Sequence, residues 1–295
     1  MGDRPECGER KAAFITGAAS GIGRATAELL AEKGWWIGAA DRNAEPLAKL
    51  RDDLGHERCR TWTLDVTDKP ACDTVVAEFS QATGGRMDLL FNNAGIAATG
   101  FFEDIPLAQT LAIIDTNLVG VIHGIHAALP LLKRTPNSLC FTTSSSAATY
   151  AAPRLAVYSA TKFAVKGLTE ALAVEFSRFG VRVADVLPGV IDTGIFGTSH
   201  SYVDGKQQPT TGSVGAAAVA AKDGPFRLIA PREVADAVWR SYEGDPRMHW
   251  YVPAEIEDIE RAKATSADAM RDSRIAMLRS TLGHGSDERV KGSTR

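Results

Sequence analysis

Tyr158 and Lys162 stand four residues apart in the segment YSATK, and Ser145 precedes the tyrosine by thirteen residues in the run TTSSSAATYAAPRLAVY. A helix places residues i and i+4 on one face, with β-carbons about 5–6 Å apart, so a phenol and an ammonium would share one surface. An ammonium beside a phenol favours the phenolate, which brings a group with an ordinary pKa of about 10 closer to neutral proton exchange. Such a pair is an acid/base device for interconverting C–OH and C=O. The YxxxK spacing alone also describes two solvated side chains on a helix, so the elements that would position the pair have to decide.

The 295 residues can bury one large α/β core, and 44% hydrophobic with 23% charged residues is an ordinary globular composition. A formal net charge of −3 with scattered Lys and Arg provides no electrostatic footprint for nucleic acid or for an anionic membrane. The first ten residues, MGDRPECGER, lack the apolar core of a signal peptide, and no stretch holds the roughly 18 uninterrupted apolar residues of a bilayer span. Cys7, Cys59, Cys72 and Cys140 have no CxxC spacing and read as buried or free thiols of a reducing compartment. A cytoplasmic location is the expectation.

Short apolar runs alternate with helical patterns along most of the chain. KAAFIT, WWIGAA, RTWTLDV, DLLFN, LCFTTS, VRVADVLP and MHWYVP read as strands, and IGRATAELLAEKG, the stretches near 44–54 and 68–82, and PREVADAVWRSYEG read as helices. This alternation predicts an α/β fold, a doubly wound parallel sheet flanked by helices on both faces, as a single Rossmann-type domain over residues 11–253. Residues 1–10 are expected to be a polar N-terminal segment, and 254–295 a C-terminal helical extension with a frayed tail. Between residues 194 and 230 the periodicity breaks into Gly, Ser, Thr and Ala, which suggests a lid over a site.

The first strand-to-helix turn reads TGAASGIGRA, with Gly17, Gly21 and Gly23 between a strand and a helix. Glycines there let backbone N–H groups approach a pyrophosphate, helped by the partial positive charge of the helix N-terminus. Eighteen residues beyond Gly23, Asp41 ends the second strand, where a carboxylate can accept hydrogen bonds from ribose hydroxyls and repel a 2′-phosphate. NAD is therefore expected over NADP, with Arg24 and Arg42 as the cations that could reverse the preference.

With the glycine turn, NNAG at 92–95, Asn117, Ser145, Tyr158 and Lys162 in this order, the chain resembles the short-chain dehydrogenase/reductase family from about residue 11 to about 253. The resemblance implies a pyrophosphate turn at Gly17, Ser20, Gly21, Ile22 and Gly23, and an adenine pocket at Asp65 and Val66. It also implies a cofactor cleft lined by Asn93, Ala94 and Gly95. Pro188, Gly189 and Thr193 match the family's PGxxxT segment, which implies that Thr193 holds the nicotinamide carboxamide. It assigns Ser145 to the substrate oxygen and Tyr158 to the hydroxyl proton. Lys162 would serve the nicotinamide ribose and the tyrosine's acidity, and Asn117 a water that links Lys162 to solvent. Hydride would then pass between the nicotinamide ring and a small alcohol or carbonyl substrate.

Apolar residues in and around the lid (Ile195, Phe196, Phe226, Leu228, Ile229) suggest a moderately hydrophobic secondary alcohol or ketone. Tyr150 would be a pocket wall or plain surface packing, and Trp35 and Trp36 are expected to pack. His123 and His126, one helical turn apart, lack a third ligand nearby, so no metal is expected. Along the helices expected over 107–134 and 154–178, Ala156, Val157, Ala160, Phe163, Ala164, Gly167, Leu168 and Ala171 exceed one sheet-facing stripe. That excess, with the resemblance, implies a homotetramer or homodimer.

Overall fold

The computed structural model describes residues 5–194, 199–208 and 220–282. Seven strands form the central sheet: β1 (Ala12–Thr16), β2 (Trp36–Asp41), β3 (Cys59–Thr63), β4 (Leu89–Asn92), β6 (Leu139–Thr143), β7 (Arg182–Pro188) and β12 (His249–Val252). Every ladder is parallel, and the order is β3-β2-β1-β4-β6-β7-β12. Strands β1 and β2 are buried along their whole length, as a sheet covered on both faces requires.

Alternation along the strands feeds two cores. Ala13 and Ile15 of β1 pack under α1 (Gly21–Glu32), α2 (Ala44–Leu54) and α8 (Pro231–Tyr242), through residues such as Leu30, Leu50 and Val238. Ala12 and Phe14 face α3 (Lys69–Thr83), α5 (Gly120–Arg134) and α7 (Ala156–Ser177), through Phe79, Ile125 and Val165. Trp35 and Trp36 split between the two cores and are both buried, so they pack as expected. All four cysteines are buried free thiols, and burial pushes those of Cys59 and Cys140 up to about 12.

The strand-free run 107–134 is α4 (Leu107–Ile114), a π-helical turn (Asp115–Val119) and α5. Its mean hydropathy of 1.4 and its length would suffice to cross a membrane, but Val121, Ile125, Ala128 and Leu131 pack into the sheet-facing core. Small pieces complete the carboxyl edge: β5 (Ala98–Thr99), the short helix α6 (Ala147–Tyr150), β8 (Val190–Ile191), the hairpin of β9 (His200–Val203) with β10 (Lys206–Gln207), and β11 (Leu228–Ile229). Strand β9 pairs with β5, and β11 with β8, so the stretch 194–230 is less irregular than its composition suggests. Strands of two to four residues are too short to leave a period. Of the lid expected over 194–230, residues 195–198 and 209–219, including Ile195 and Phe196, lie outside the described residues. The extension beyond 253 is helical, with α9 (Ile256–Thr265) and α10 (Ala267–Leu282), and the tail expected to fray lies outside the described residues from 283 onward.

Candidate active site

The glycine turn is closed by contacts that exclude any side chain. Gly17 has φ +64°, and a Cβ there would lie 2.9 Å from Ala94 Cα; a Cβ on Gly23 would lie 2.2 Å from the Gly17 carbonyl oxygen. Ser20 takes the N-cap position of α1 without a side-chain cap, which leaves the first N–H groups of the helix to an anion. A Cβ on Gly21 would lie 2.9 Å from Thr193 Cγ2, so the PGxxxT segment stands against the turn. Ile22 packs into the core beneath α1.

Asn93 ties this turn to two strand ends. Its Nδ2 donates to the Thr16 and Gly17 carbonyls, each at 3.2 Å, and its Oδ1 accepts from Thr143 Oγ1 at 3.0 Å. Thr16 Oγ1 in turn accepts from the backbone N–H of Asn93 and Ala94. Asp41 does similar work at the end of β2: Oδ2 accepts from Ala19 N at 3.1 Å and Oδ1 from Asn43 N at 2.9 Å. The carboxylate is therefore fixed against the turn. Asp65 folds back on Thr67 N and Oγ1, which holds its carboxyl below the usual range, while Val66 is buried and its carbonyl meets His123 Nδ1 at 3.0 Å.

The four residues assigned to the chemistry converge at the carboxyl ends of β4, β6 and β7. A Cβ on Gly95 would lie 3.3 Å from Asn117 Oδ1 and 3.6 Å from Lys162 Nζ, so the NNAG segment, the π-turn and α7 meet at one point. Asn117 is fully buried and bonded to the backbone of Ile96 in both directions at 2.9 Å, with Thr161 Oγ1 at 3.3 Å. Lys162 Nζ donates to the Thr143 carbonyl at 2.8 Å and lies 5.6 Å from the centroid of the Tyr158 ring. Ser145 Oγ accepts from Ala147 N at 3.1 Å, whereas Ser144 turns away to the Lys162 carbonyl. Ser146 N donates to the Pro188 carbonyl, and Gly189 N to the Val252 carbonyl, so the PGxxxT segment is bracketed by α6 and β12.

A family description, short chain dehydrogenase, matches residues 11–202. The chain belongs to this family. An oxidoreductase of Botryotinia fuckeliana is 34% identical over 226 residues, covering 76% of this chain and 82% of that protein. Among solved structures, a short-chain dehydrogenase/reductase of Burkholderia phymatum in complex with NAD has a TM-score of 0.74 at 25% identity, covering 88% of this chain and 95% of that one. An alcohol dehydrogenase from the archaeon Thermococcus sibiricus, complexed with 5-hydroxy-NADP, has a TM-score of 0.67 at 26% identity, covering 82% and 94%. This short-chain dehydrogenase is therefore an oxidoreductase with a Rossmann-type nicotinamide dinucleotide fold, and its glycine cradle, uncapped α1 and strand-end Asp41 fit such a cofactor.

The electrostatics differ from the sequence expectation at one point. Burial raises the Tyr158 phenol above its ordinary value, and the group that opposes this is the Ser145 hydroxyl beside it, not the ammonium of Lys162. The reason is placement: Lys162 is itself buried, bound to a carbonyl, and pushed down to about 8. Tyr150 sits between the alternatives left open for it, edge-on to Phe226 at 5.5 Å with Arg274 of α10 4.4 Å from its ring centroid. Sequence reasoning did not single out Thr16, Thr143 and Thr161, which carry the hydrogen bonds that hold the site. Thr16 opens the TGAASGIGRA turn and Thr161 lies within YSATK, but their hydrogen-bonding roles, like that of Thr143, depend on distant partners that local spacing does not record.

Proposed function

We propose that this enzyme transfers a hydride between NAD(H) and a moderately hydrophobic secondary alcohol or ketone, with Tyr158 as acid and base. The observation that carries the reading is the cluster in which the Ser145 hydroxyl stands beside the Tyr158 phenol and Lys162 Nζ lies 5.6 Å from the Tyr158 ring centroid, next to Gly95 and Asn117. The dinucleotide, when bound, supplies the hydride donor or acceptor. Gly17, Ser20, Gly21, Ile22 and Gly23 would take its pyrophosphate, Asp41 the adenosine ribose, Asp65 and Val66 the adenine. Asn93, Ala94, Gly95, Pro188, Gly189 and Thr193 would border the nicotinamide half. Ser145 orients the substrate oxygen and Tyr158 gives or takes its proton. Lys162 presents its ammonium to the nicotinamide ribose and to the phenol. The raised pKa of Tyr158 suits the reductive direction, in which the phenol must hold a proton to donate.

NAD preference rests on Asp41, which is buried and held by two backbone N–H groups, and whose charge would oppose a 2′-phosphate. Arg24 supports this reading, because its guanidinium is engaged by Glu28 at 2.8 Å and Asp53 at 2.6 Å. Arg42 favours the second reading, an NADPH-dependent ketoreductase: it is exposed beside Asp41 and makes no ion pair among the described residues. Spectrophotometric turnover of a panel of secondary alcohols and ketones with both cofactors tests both readings. A higher kcat/KM with NAD(H) is expected, and no turnover of any member with either cofactor would sink the dehydrogenase reading.

A further inference from the structure

Asp185 occupies the middle of β7, a strand otherwise rich in apolar residues, with no exposure to solvent. Ala184 and Val186 pack into the core under α1 and α8, and Val183 into the core under α5 and α7. Alternation therefore puts the Asp185 side chain on the α7 face. In the ladder it is opposite Thr142 of β6, one residue from the Thr143 carbonyl that accepts from Lys162 Nζ at 2.8 Å. His249 of β12 meets one carboxylate oxygen through Nδ1 at 2.7 Å, and its Nε2 lies 3.3 Å from the half-exposed Glu170 of α7. The other oxygen, Oδ2, is buried with no hydrogen-bond partner among the described residues.

A carboxylate in such a place keeps its charge only beside a compensating cation. Besides His249, two lysines on this stretch of α7 are candidates, Lys162 and Lys166. Lys166 is taken by Glu260 of α9, which also accepts from the Tyr251 hydroxyl. Lys162, 4% exposed, has only the neutral Thr143 carbonyl and no carboxylate within salt-bridge distance among the described residues. We propose that Asp185, oriented by His249, is the counter-charge that keeps the buried ammonium of Lys162 protonated. Asp185 is thus a positioning residue acting through Lys162, and its importance to turnover rests on the catalytic reading of Lys162 above.

The signs agree with this role. Burial lowers the proton affinity of Lys162 to about 8 and the charge of Asp185 acts against that fall. Burial raises Asp185, and the hydrogen bond and charge of His249, followed by the charge of Lys166, act against that rise. The remaining groups facing Lys162 and Asp185 are Tyr158, Lys166 and Glu170 on α7, Tyr251 on β12 and Glu260 on α9.

The test follows the 13Cε resonances of lysine in the full-length enzyme through a pH titration, with Lys162 assigned by its loss in Lys162→Met. Asp185→Asn keeps the shape and removes the charge. It should lower the Lys162 midpoint by about one unit and move the alkaline limb of kcat/KM down with it. An unchanged midpoint in folded Asp185→Asn overturns the proposal. If that variant does not fold, the 13Cγ resonance of Asp185 in the wild type decides. An inflection where Lys162 loses its proton, missing from Lys162→Met, supports the pairing, and its absence from the wild type overturns it. A shifted midpoint with an unmoved activity limb would keep the counter-charge and overturn instead the catalytic role of Lys162.

Discussion

Tyr158 is asked to move one proton through one oxygen, and its ring makes the rest of its contacts. Tyr158→Phe should therefore leave cofactor affinity within about threefold while lowering kcat by about 10² to 10⁴, the usual contribution of a positioned acid/base group. Cofactor titration by calorimetry beside steady-state kinetics separates the two; more than about a tenth of wild-type kcat would remove Tyr158 from the proton step. Asp41 works by charge, and Asp41→Ser should raise the NADP/NAD ratio of kcat/KM by tenfold or more, since about 1.4 kcal/mol of relieved repulsion suffices. If the wild type already prefers NADP, Arg42 outweighs the carboxylate.

Lys162 also has a measurable price in stability. Its folded value of about 8 lies below its ordinary 10.5, so between these values the unfolded chain holds a proton that the folded chain does not. Stability must then rise with pH across that window, by on the order of 3 kcal/mol for the 2.5-unit difference. Lys162→Met lacks this dependence. Urea unfolding at pH 7.5, 9 and 10.5 should show the wild type gaining on the variant as pH rises, and parallel curves would contradict the lowered value.

At the scale of elements, the turn between β1 and α1 and the π-turn before α5 do the positioning. Gly23→Ala would force a Cβ to 2.2 Å from the Gly17 carbonyl and 2.6 Å from Asn93 Nδ2, so the backbone that cradles the pyrophosphate has to open. The expected result is a loss of cofactor affinity by more than tenfold together with destabilisation of about 1–3 kcal/mol from overpacking. Calorimetric titration and thermal melting read both, and unchanged affinity would show that the turn does not bind the dinucleotide. The π-turn at Asp115–Val119 shows where sequence periodicity stops short. A single helix was expected over 107–134, and one extra residue per turn at Asn117 leaves the apolar stripe almost unaltered while it re-aims that side chain onto Ile96.

At the scale of the molecule, α7 carries a stripe that the monomer does not use. Ala156, Ala160, Ala164, Gly167 and Ala171 are exposed along one face, continued by Val174 at 75% exposure, and a Cβ on Gly167 would meet nothing within 4 Å. Small residues let two helices approach closely, so a homodimer or homotetramer through this face is our proposal. Ala164→Arg should then yield monomers by light scattering at micromolar concentration, and a monomeric wild type would overturn the interface.

The parallel α/β architecture and its element order were legible from the alternating runs, because strands buried on both faces must be apolar throughout and their covering helices amphipathic. The glycine turn, Asp41, Tyr158 and Lys162 could be named as candidates because each stands in a local spacing, and the family resemblance selected Ser145. Other features only the tertiary structure decided. The threonines at positions 16, 143 and 161 act through hydrogen bonds to residues 19 to 78 positions away. β9 and β11 owe their existence to pairing with β5 and β8. Tyr158 was expected to be acidified by Lys162, yet desolvation set the direction for both groups, and desolvation depends on what surrounds a side chain. Asp185 drew no notice within VRVADVLP, because its partner His249, which also meets Glu170, comes from a separate strand that long-range packing brings to it. Local spacing records which backbone a segment prefers; which side chains then share a low-dielectric interior is set only when the segments close on one another.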